Sequence, residues 1–242
     1  MKDIGADNSP ALRLDAGNDL FQRPASAQPR ELAAAQGMMG IYVAMDYDAV
    51  AVGANDLAAG VSLLRENAKM PWLSANLRDE QGKSLFPASV VLTRGDLRIG
   101  VIGLTGAVPV QQTGLRADDW RPCLNEAIKA LRSNCHLLVA LSNLSAADNA
   151  EMAKNYPDID LIITADVAHG NISPRPEQKP WLVQTMAQGK ALGVLTLSSQ
   201  APPSLPMNWQ IRATTVSLAT TMPEDPVIAD MARRIEQAGQ TR

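Results

Sequence analysis

The chain has 242 residues, of which 46% are hydrophobic and 19% charged, a composition typical of a globular protein with a substantial core. Its net charge of −3 and scattered basic residues exclude a broad polyanion surface, so we expect no nucleic-acid polymer as a partner. No apolar run approaches the ~20 residues that cross a bilayer. Residues 1–17 contain no apolar stretch of the kind that forms a secretory signal.

Short apolar runs alternate with amphipathic stretches along most of the chain, as in a layered α/β domain. The predicted elements are, in chain order, strand 11–16, helix 29–46, strand 48–53, helix 55–68, strand 71–76, helix 122–134, strand 136–142, helix 145–154, strand 159–164 and a closing helix from Pro226. A Gly95-Asp96 turn between two apolar runs predicts a hairpin. Asn55 or Asp56 is the expected N-cap of the second helix.

The final third of the chain changes to β-rich runs at 181–186, 191–198 and 207–218. Proline-rich breaks separate these runs, and the stretch 198–206 has the composition of a surface loop. We therefore predict a single domain over residues 1–242, with a mixed sheet or two packed sheets.

Several sequence blocks resemble, in the same order, those of calcineurin-like metallophosphoesterases of the 5′-nucleotidase branch. LRLDAGNDLFQ resembles the family block Leu-Asp-x-Gly-Asp-x-Phe, and DYDAVAVGANDLAAG resembles the block that contains Gly-Asn-His-Glu. The later blocks are MPWLSANL, LRIGVIGLTG, HLLVALSNLS, YPDIDLIITADVAHG, WLVQTMAQGKALGVLTL and DPVIADMARRI. The resemblance implies a four-layered α/β/β/α sandwich with its site at the strand-end loops. The family's first strand and its C-terminal nucleotide-specificity domain are not evident in the sequence.

The family's site holds two metal ions that are bridged by a carboxylate and a hydroxide, and the resemblance implies such a site at the matching positions. Asn18 stands at the bridging Asp when the blocks are aligned without gaps, and Asp19 falls there with a one-residue shift. Ala54 stands at the ligand Asn, and Asn55 stands at the His that protonates the leaving group. The remaining ligand histidines correspond to Asn143, Asp166 and Ala168.

These substitutions predict that the dinuclear site is lost. Alanine has no lone pair to offer, and an amide binds a divalent ion weakly compared with imidazole or carboxylate. We therefore expect no catalytic residue and no cofactor, or at most one divalent ion held by Asp19, Asp166 and His169. The expected binding residues are those of the altered site loops, namely Asn18, Asp19, Asn55, Asn143, Asp166 and His169.

The leading hypothesis is a non-catalytic relative of 5′-nucleotidases that serves as a binding or structural module for an unknown protein or small-molecule partner. One alternative is a metal-dependent hydrolase of phosphate esters or nucleotides with an atypical or mononuclear site. A second alternative is an electron-transfer or cofactor-assembly partner whose Cys or His ligands belong to an N-terminal segment missing from this chain. The resemblance also implies a periplasmic or exported location.

Overall fold

The computed structural model describes residues 11–24, 27–165, 171–174, 179–186, 189–200, 207–219 and 221–240. The strands are β1 Leu14–Asp15, β2 Ala49–Ala51, β3 Trp72–Leu73, β4 Leu77–Asp79, β5 Ser89–Arg94, β6 Leu97–Leu104, β7 Leu115–Ala117, β8 Leu137–Ser142, β9 Leu161–Thr164, β10 Trp181–Val183, β11 Ala191–Ser198 and β12 Gln210–Ser217. The helices are α1 Pro29–Ala44, α2 Val61–Glu66, α3 Trp120–Leu131, α4 Ala146–Asn155 and α5 Pro226–Gln240. Within these ranges, no helix is long and apolar enough to cross a membrane.

Two sheets form the middle of the domain. Strands β1, β2 and β3 lie side by side in a parallel three-stranded sheet. The second sheet has the strand order β10–β9–β8–β6–β5, in which β5 runs antiparallel to β6 and the other neighbours are parallel. Strands β11 and β12 pair with each other, as do β4 and β7.

Three apolar clusters separate four layers, because successive strand side chains point to opposite faces of a sheet. In β2, Val50 packs in the cluster that contains α1 and α2, whereas Ala51 packs in the cluster between the two sheets. In β6, Val101 joins that inter-sheet cluster, whereas Ile102 packs with α3 and α4. Helix α5 lies against α1 on the outside. The predicted α/β/β/α sandwich is therefore confirmed.

Several helices begin at a residue whose side chain accepts a hydrogen bond from a free backbone N–H group of the first turn. Ser145 Oγ accepts the N–H of Asp148 at 3.2 Å and starts α4. Asp225 Oδ1 accepts the N–H of Val227 at 2.9 Å, so the predicted start of the closing helix is confirmed. The hairpin predicted at Gly95 is also confirmed, as this turn joins β5 to β6.

The helix predicted over residues 55–68 is wrong in its first half. Residues 54–59 form turns, and α2 begins only at Val61. Asp56 does not cap this helix, because its carboxylate binds backbone N–H groups of a loop far away in the sequence. That long-range contact fixes the segment in a non-helical conformation despite its helical apolar spacing.

The two sheets meet without an intervening side chain at Gly103 of β6. A Cβ atom on this residue would lie 2.5 Å from the carbonyl oxygen of Leu73 in β3. The Gly103 carbonyl accepts the N–H of Ala75 at 2.8 Å, and its own N–H donates to Ala88 at 3.2 Å. The missing side chain therefore lets β3 lie directly against β6 and brings the ends of both sheets together.

We expect Gly103→Ala to lower the free energy of unfolding by about 3 kcal/mol, because the new methyl group overlaps the backbone of Leu73. Urea denaturation monitored by circular dichroism measures the change. Gly193→Ala in β11 is the matched control, since its Cβ would meet Thr185 at an ordinary 3.5 Å. Equal stability losses in the two variants would contradict the close approach of the sheets.

Candidate functional site

The loops after β1, β2, β6, β8 and β9 meet at one edge of the sandwich. Neighbouring parallel strands end at the same edge of a sheet, which is where α/β proteins place their sites. Hydrogen bonds join the loop segments 16–20, 52–56, 105–106 and 143 to one another and to Ala165. Those of the described residues that the resemblance aligns with the family's metal ligands therefore lie together at this edge.

The carboxylate of Asp56 organises the loop after β1. Its Oδ1 atom accepts the N–H groups of Asp19 at 2.9 Å and Leu20 at 3.0 Å. Its Oδ2 atom accepts the N–H groups of Asn18 and Gly53, both at 2.8 Å. The residue is 0% exposed, and this burial raises the pKa of the carboxyl group, while the four backbone hydrogen bonds oppose the rise.

Sequence reasoning treated Asp56 only as a helix cap and missed this role. The available signal was its place directly after Gly53-Ala54-Asn55, where the family block has Glu. The acidic residue in that block indicates a loop whose carboxylate binds backbone N–H groups. The helical spacing of the residues that follow is the weaker signal.

Asn18 ties three strand ends together. Its backbone is left-handed, with φ of 74°, a conformation that Asn tolerates better than most residues. Its Oδ1 accepts the N–H of Asn55 at 3.0 Å, and its Nδ2 donates to the carbonyl of Ala165 at 3.2 Å. A Cβ atom on Gly53 would lie 2.3 Å from Asn18 Oδ1, so this glycine provides the space for the amide.

Asn143, at a position where the family has a ligand His, also binds only backbone groups in the described structure. Its Nδ2 donates to the carbonyls of Val52 at 2.9 Å and Ala16 at 3.2 Å. Its Oδ1 accepts the N–H of Gly106 at 2.9 Å. The Val52 carbonyl additionally accepts the hydroxyl of Thr105 at 2.8 Å. Both halves of the Asn143 amide are therefore used to join the loops after β1, β2, β6 and β8.

Asn55 occupies the position aligned with the family's general acid. It is 8% exposed, and its side-chain amide makes no hydrogen bond to the described residues. A carboxamide has no proton to give at neutral pH. Asn55 therefore cannot protonate a leaving group in the way a histidine does.

A group of carboxylates lies beneath the loop after β1. Asp15 accepts the hydroxyl of Tyr42 at 3.0 Å and the N–H of Gly17 at 2.9 Å. The Asp19 residue as a whole is exposed, but its carboxyl group lies beside the carboxylates of Asp15 and Asp56. Burial, and then repulsion by these two neighbours, raises the pKa of Asp19 well above its ordinary 3.8.

The same environment acts on Tyr42, whose pKa is raised mainly by burial and then by the negative charges of Asp15 and Asp19. Tyr42 comes from α1, and its place beside the site was not predicted. Its hydroxyl therefore remains protonated and donates its hydrogen to Asp15.

The described residues do not fit a dinuclear metal centre. The amides of Asn18 and Asn143 are engaged with backbone groups, and Ala54 offers no ligand atom. In the part of the chain that the structure describes, no group of three or more His, Cys, Asp or Glu side chains is arranged to hold a metal ion. Asp166 and His169 lie outside the described residues, so their use with Asp19 in a single-ion site stays a prediction.

About half of the chain is similar in sequence to proteins named UshA. No family model matches the chain. Protein UshA of Salmonella pullorum is 43% identical over 128 residues, which are 48% of this chain and 23% of that protein. Protein UshA of Escherichia coli K12 is 29% identical over 130 residues, with the same shares. The matched segment thus spans less than a quarter of these relatives' length.

Solved structures match almost the whole chain. Sulfate thiohydrolase SoxB of Thermus thermophilus has a TM-score of 0.80 at 21% identity, over 99% of this chain and 45% of that chain. A 5′-nucleotidase precursor of the same organism has a TM-score of 0.75 at 24% identity, over 98% and 51%. The calcineurin-like phosphoesterase YfkN of Bacillus subtilis has a TM-score of 0.72 at 18% identity, over 94% and 83%.

We expect Asp56→Asn to lower the free energy of unfolding by about 3 kcal/mol, because two of the four bound N–H groups would then face an NH₂ group. Urea denaturation at neutral pH measures the change. Asp79→Asn is the matched control, since its N–H partners Gln81 and Lys83 share the single atom Oδ1, which an amide retains. A loss at Asp56 no larger than that at Asp79 would contradict the organising role.

We expect Asp19→Asn to stabilise the protein near neutral pH. The folded pKa of Asp19 lies above the unfolded value of 3.8, so the folded state binds its proton more tightly. The contribution of this group to stability is then full below pH 3.8 and is lost as pH rises through the folded pKa.

Urea titrations across pH test this expectation. The variant and the wild type should have equal midpoints at about pH 3, and the variant should be the more stable one at about pH 7. Asp96→Asn, in the exposed turn between β5 and β6, is the control for the effect of the substitution itself. A constant difference at all pH values, or a difference of opposite sign, would contradict the raised pKa.

Proposed function

We propose that this chain, which has the fold of calcineurin-like metallophosphoesterases and 5′-nucleotidases, is a non-catalytic binding or structural module. The observation that carries the proposal is the amide of Asn143. It stands where the family has a metal-binding histidine, and it donates to two backbone carbonyls and accepts a backbone N–H instead.

The electrostatics of the site also support this proposal. Asp15, Asp19 and Asp56 bring three carboxyl groups close together, and a phosphate ester would add further negative charge. In a two-metal hydrolase, bound cations clamp the attacking and leaving oxygens and offset such repulsion. Among the described residues, these carboxyl groups are not arranged as a group that could hold a metal ion.

We also propose that residues 1–242 act as one domain. The partner of this domain is a protein or small molecule that binds at or near the strand-end loops. The likeness to 5′-nucleotidases, many of which are exported, supports a periplasmic or exported location.

The first test is elemental analysis of protein purified without chelator, followed by assay on p-nitrophenyl phosphate and adenosine monophosphate with added Mn²⁺. We expect no stoichiometric metal and no turnover above a buffer control, because the ligand positions are occupied by alanine and by engaged amides. A 5′-nucleotidase assayed in parallel shows that the conditions support hydrolysis.

Metal bound at one or two ions per chain, with turnover, would contradict the proposal and favour the hydrolase alternative. In that case Asp19→Ala should abolish turnover, whereas Asp96→Ala in the distant turn should leave it unchanged. Turnover that survives Asp19→Ala would locate the activity elsewhere or reveal a contaminant.

A further inference from the structure

We infer that amide-to-backbone hydrogen bonds hold the strand-end loops in the arrangement that metal ions secure in the related hydrolases. We call the side chains of Asn18, Asp56 and Asn143 the amide–carboxylate lock. This inference rests on the proposed metal-free function, and it adds that the three side chains act together as one cooperative unit that needs no metal.

The lock connects all the strand ends around the site. Asp56 holds the loop after β1 against the loop after β2 through four N–H groups. Asn18 adds bonds to Asn55 and Ala165, and so extends the connection to β9. Asn143 adds bonds to Ala16 and Val52 from the loop after β8. The loops after β1, β2, β6 and β9 are therefore each held by a side chain that comes from another loop.

Glycines at three positions let the loops approach one another closely. A Cβ atom on Gly53 would lie 2.3 Å from Asn18 Oδ1, and a Cβ on Gly106 would lie 2.4 Å from the Asn143 carbonyl. A Cβ on Gly17, where φ is +86°, would lie 2.3 Å from the Ala51 carbonyl. Three glycines thus let three loops approach at distances that no other residue allows.

The same geometry opposes metal binding by these groups. The nitrogen of an amide has no lone pair for a cation, and both Nδ2 atoms donate to carbonyl oxygens. The Oδ1 atoms of Asn18 and Asn143 accept the N–H groups of Asn55 and Gly106. Each oxygen keeps a second lone pair, but a cation bound there would have to share the oxygen with a backbone N–H group.

The contacts also predict cooperativity. Ala16 and Val52, which Asn143 holds, are close neighbours in the chain of Asn18 and Gly53. Loss of the Asn143 amide releases the Ala16 carbonyl and leaves the Val52 carbonyl with only the Thr105 hydroxyl. Both loops are then held less firmly, so the bond from Asn55 to Asn18 should open more often. Residues in one hydrogen-bond network couple in this way, whereas independent bonds do not.

Native-state hydrogen exchange of the full chain, followed by NMR, tests the lock in both directions. Asn18→Gly removes the amide without backbone strain, because φ is 74° at this position. It should speed exchange at Gly106, which Asn18 does not touch, by about tenfold relative to the global opening rate. Asn143→Asp keeps the acceptor for Gly106 but removes both donors, and should speed exchange at Asn55 by a similar factor.

Asp160→Ala is the control. This buried carboxylate binds Arg132 and the N–H of Leu138 at the opposite ends of β8 and β9, away from the lock. Its loss should change exchange at Asn55 and Gly106 only as much as it changes global opening.

Two results would overturn the inference. If each variant affected only the N–H groups that it contacts directly, the three side chains would be separate bonds rather than a lock. If Mn²⁺ slowed exchange at Asn55 and Gly106 in the wild type about tenfold relative to EDTA, metal would be the element that holds the loops. A protein that contained no metal but showed no coupling would leave the proposed function intact and refute the lock alone.

Discussion

The carboxylate of Asp56 accepts three consecutive N–H groups of the loop after β1 and one of the loop after β2. A buried charge is tolerated only when its desolvation is offset, and here backbone dipoles provide the offset. Because both loops follow parallel strands of one sheet, this single side chain fixes their separation. The positions of Asn18 and Asn55, and with them the whole strand-end surface, depend on that separation.

The residues that the resemblance aligns with the family's metal ligands have structural roles in this chain. The amide of Asn143 meets two backbone carbonyls, which a histidine could not satisfy in the same way. This amide therefore helps to hold the loops after β1 and β2 in place. Asp19 lies beside two other carboxyl groups, and burial followed by their repulsion raises its pKa.

Sequence reasoning predicted a layered α/β domain because short apolar runs alternate with amphipathic stretches, and the four-layered sandwich was implied by the resemblance of the sequence blocks. It also predicted which loops meet, through the resemblance of the blocks containing Asn18, Asn55 and Asn143. It failed where a contact distant in sequence overrode local spacing, as at Asp56, whose partners lie 36 to 38 residues away. The direction of each amide depends on carbonyls of other loops, which no local pattern encodes. Asp166 and His169 lie outside the described residues.

The sequence separations within the site have a consequence for the order in which the chain folds. The β5–β6 hairpin brings together residues that are close in the chain and can form early. The Asn143 bond to Ala16 spans 127 residues and the Asn18 bond to Ala165 spans 147, so each needs more than half of the 242-residue chain to be in place. We therefore expect the strand-end surface to be completed later in folding than the hairpin.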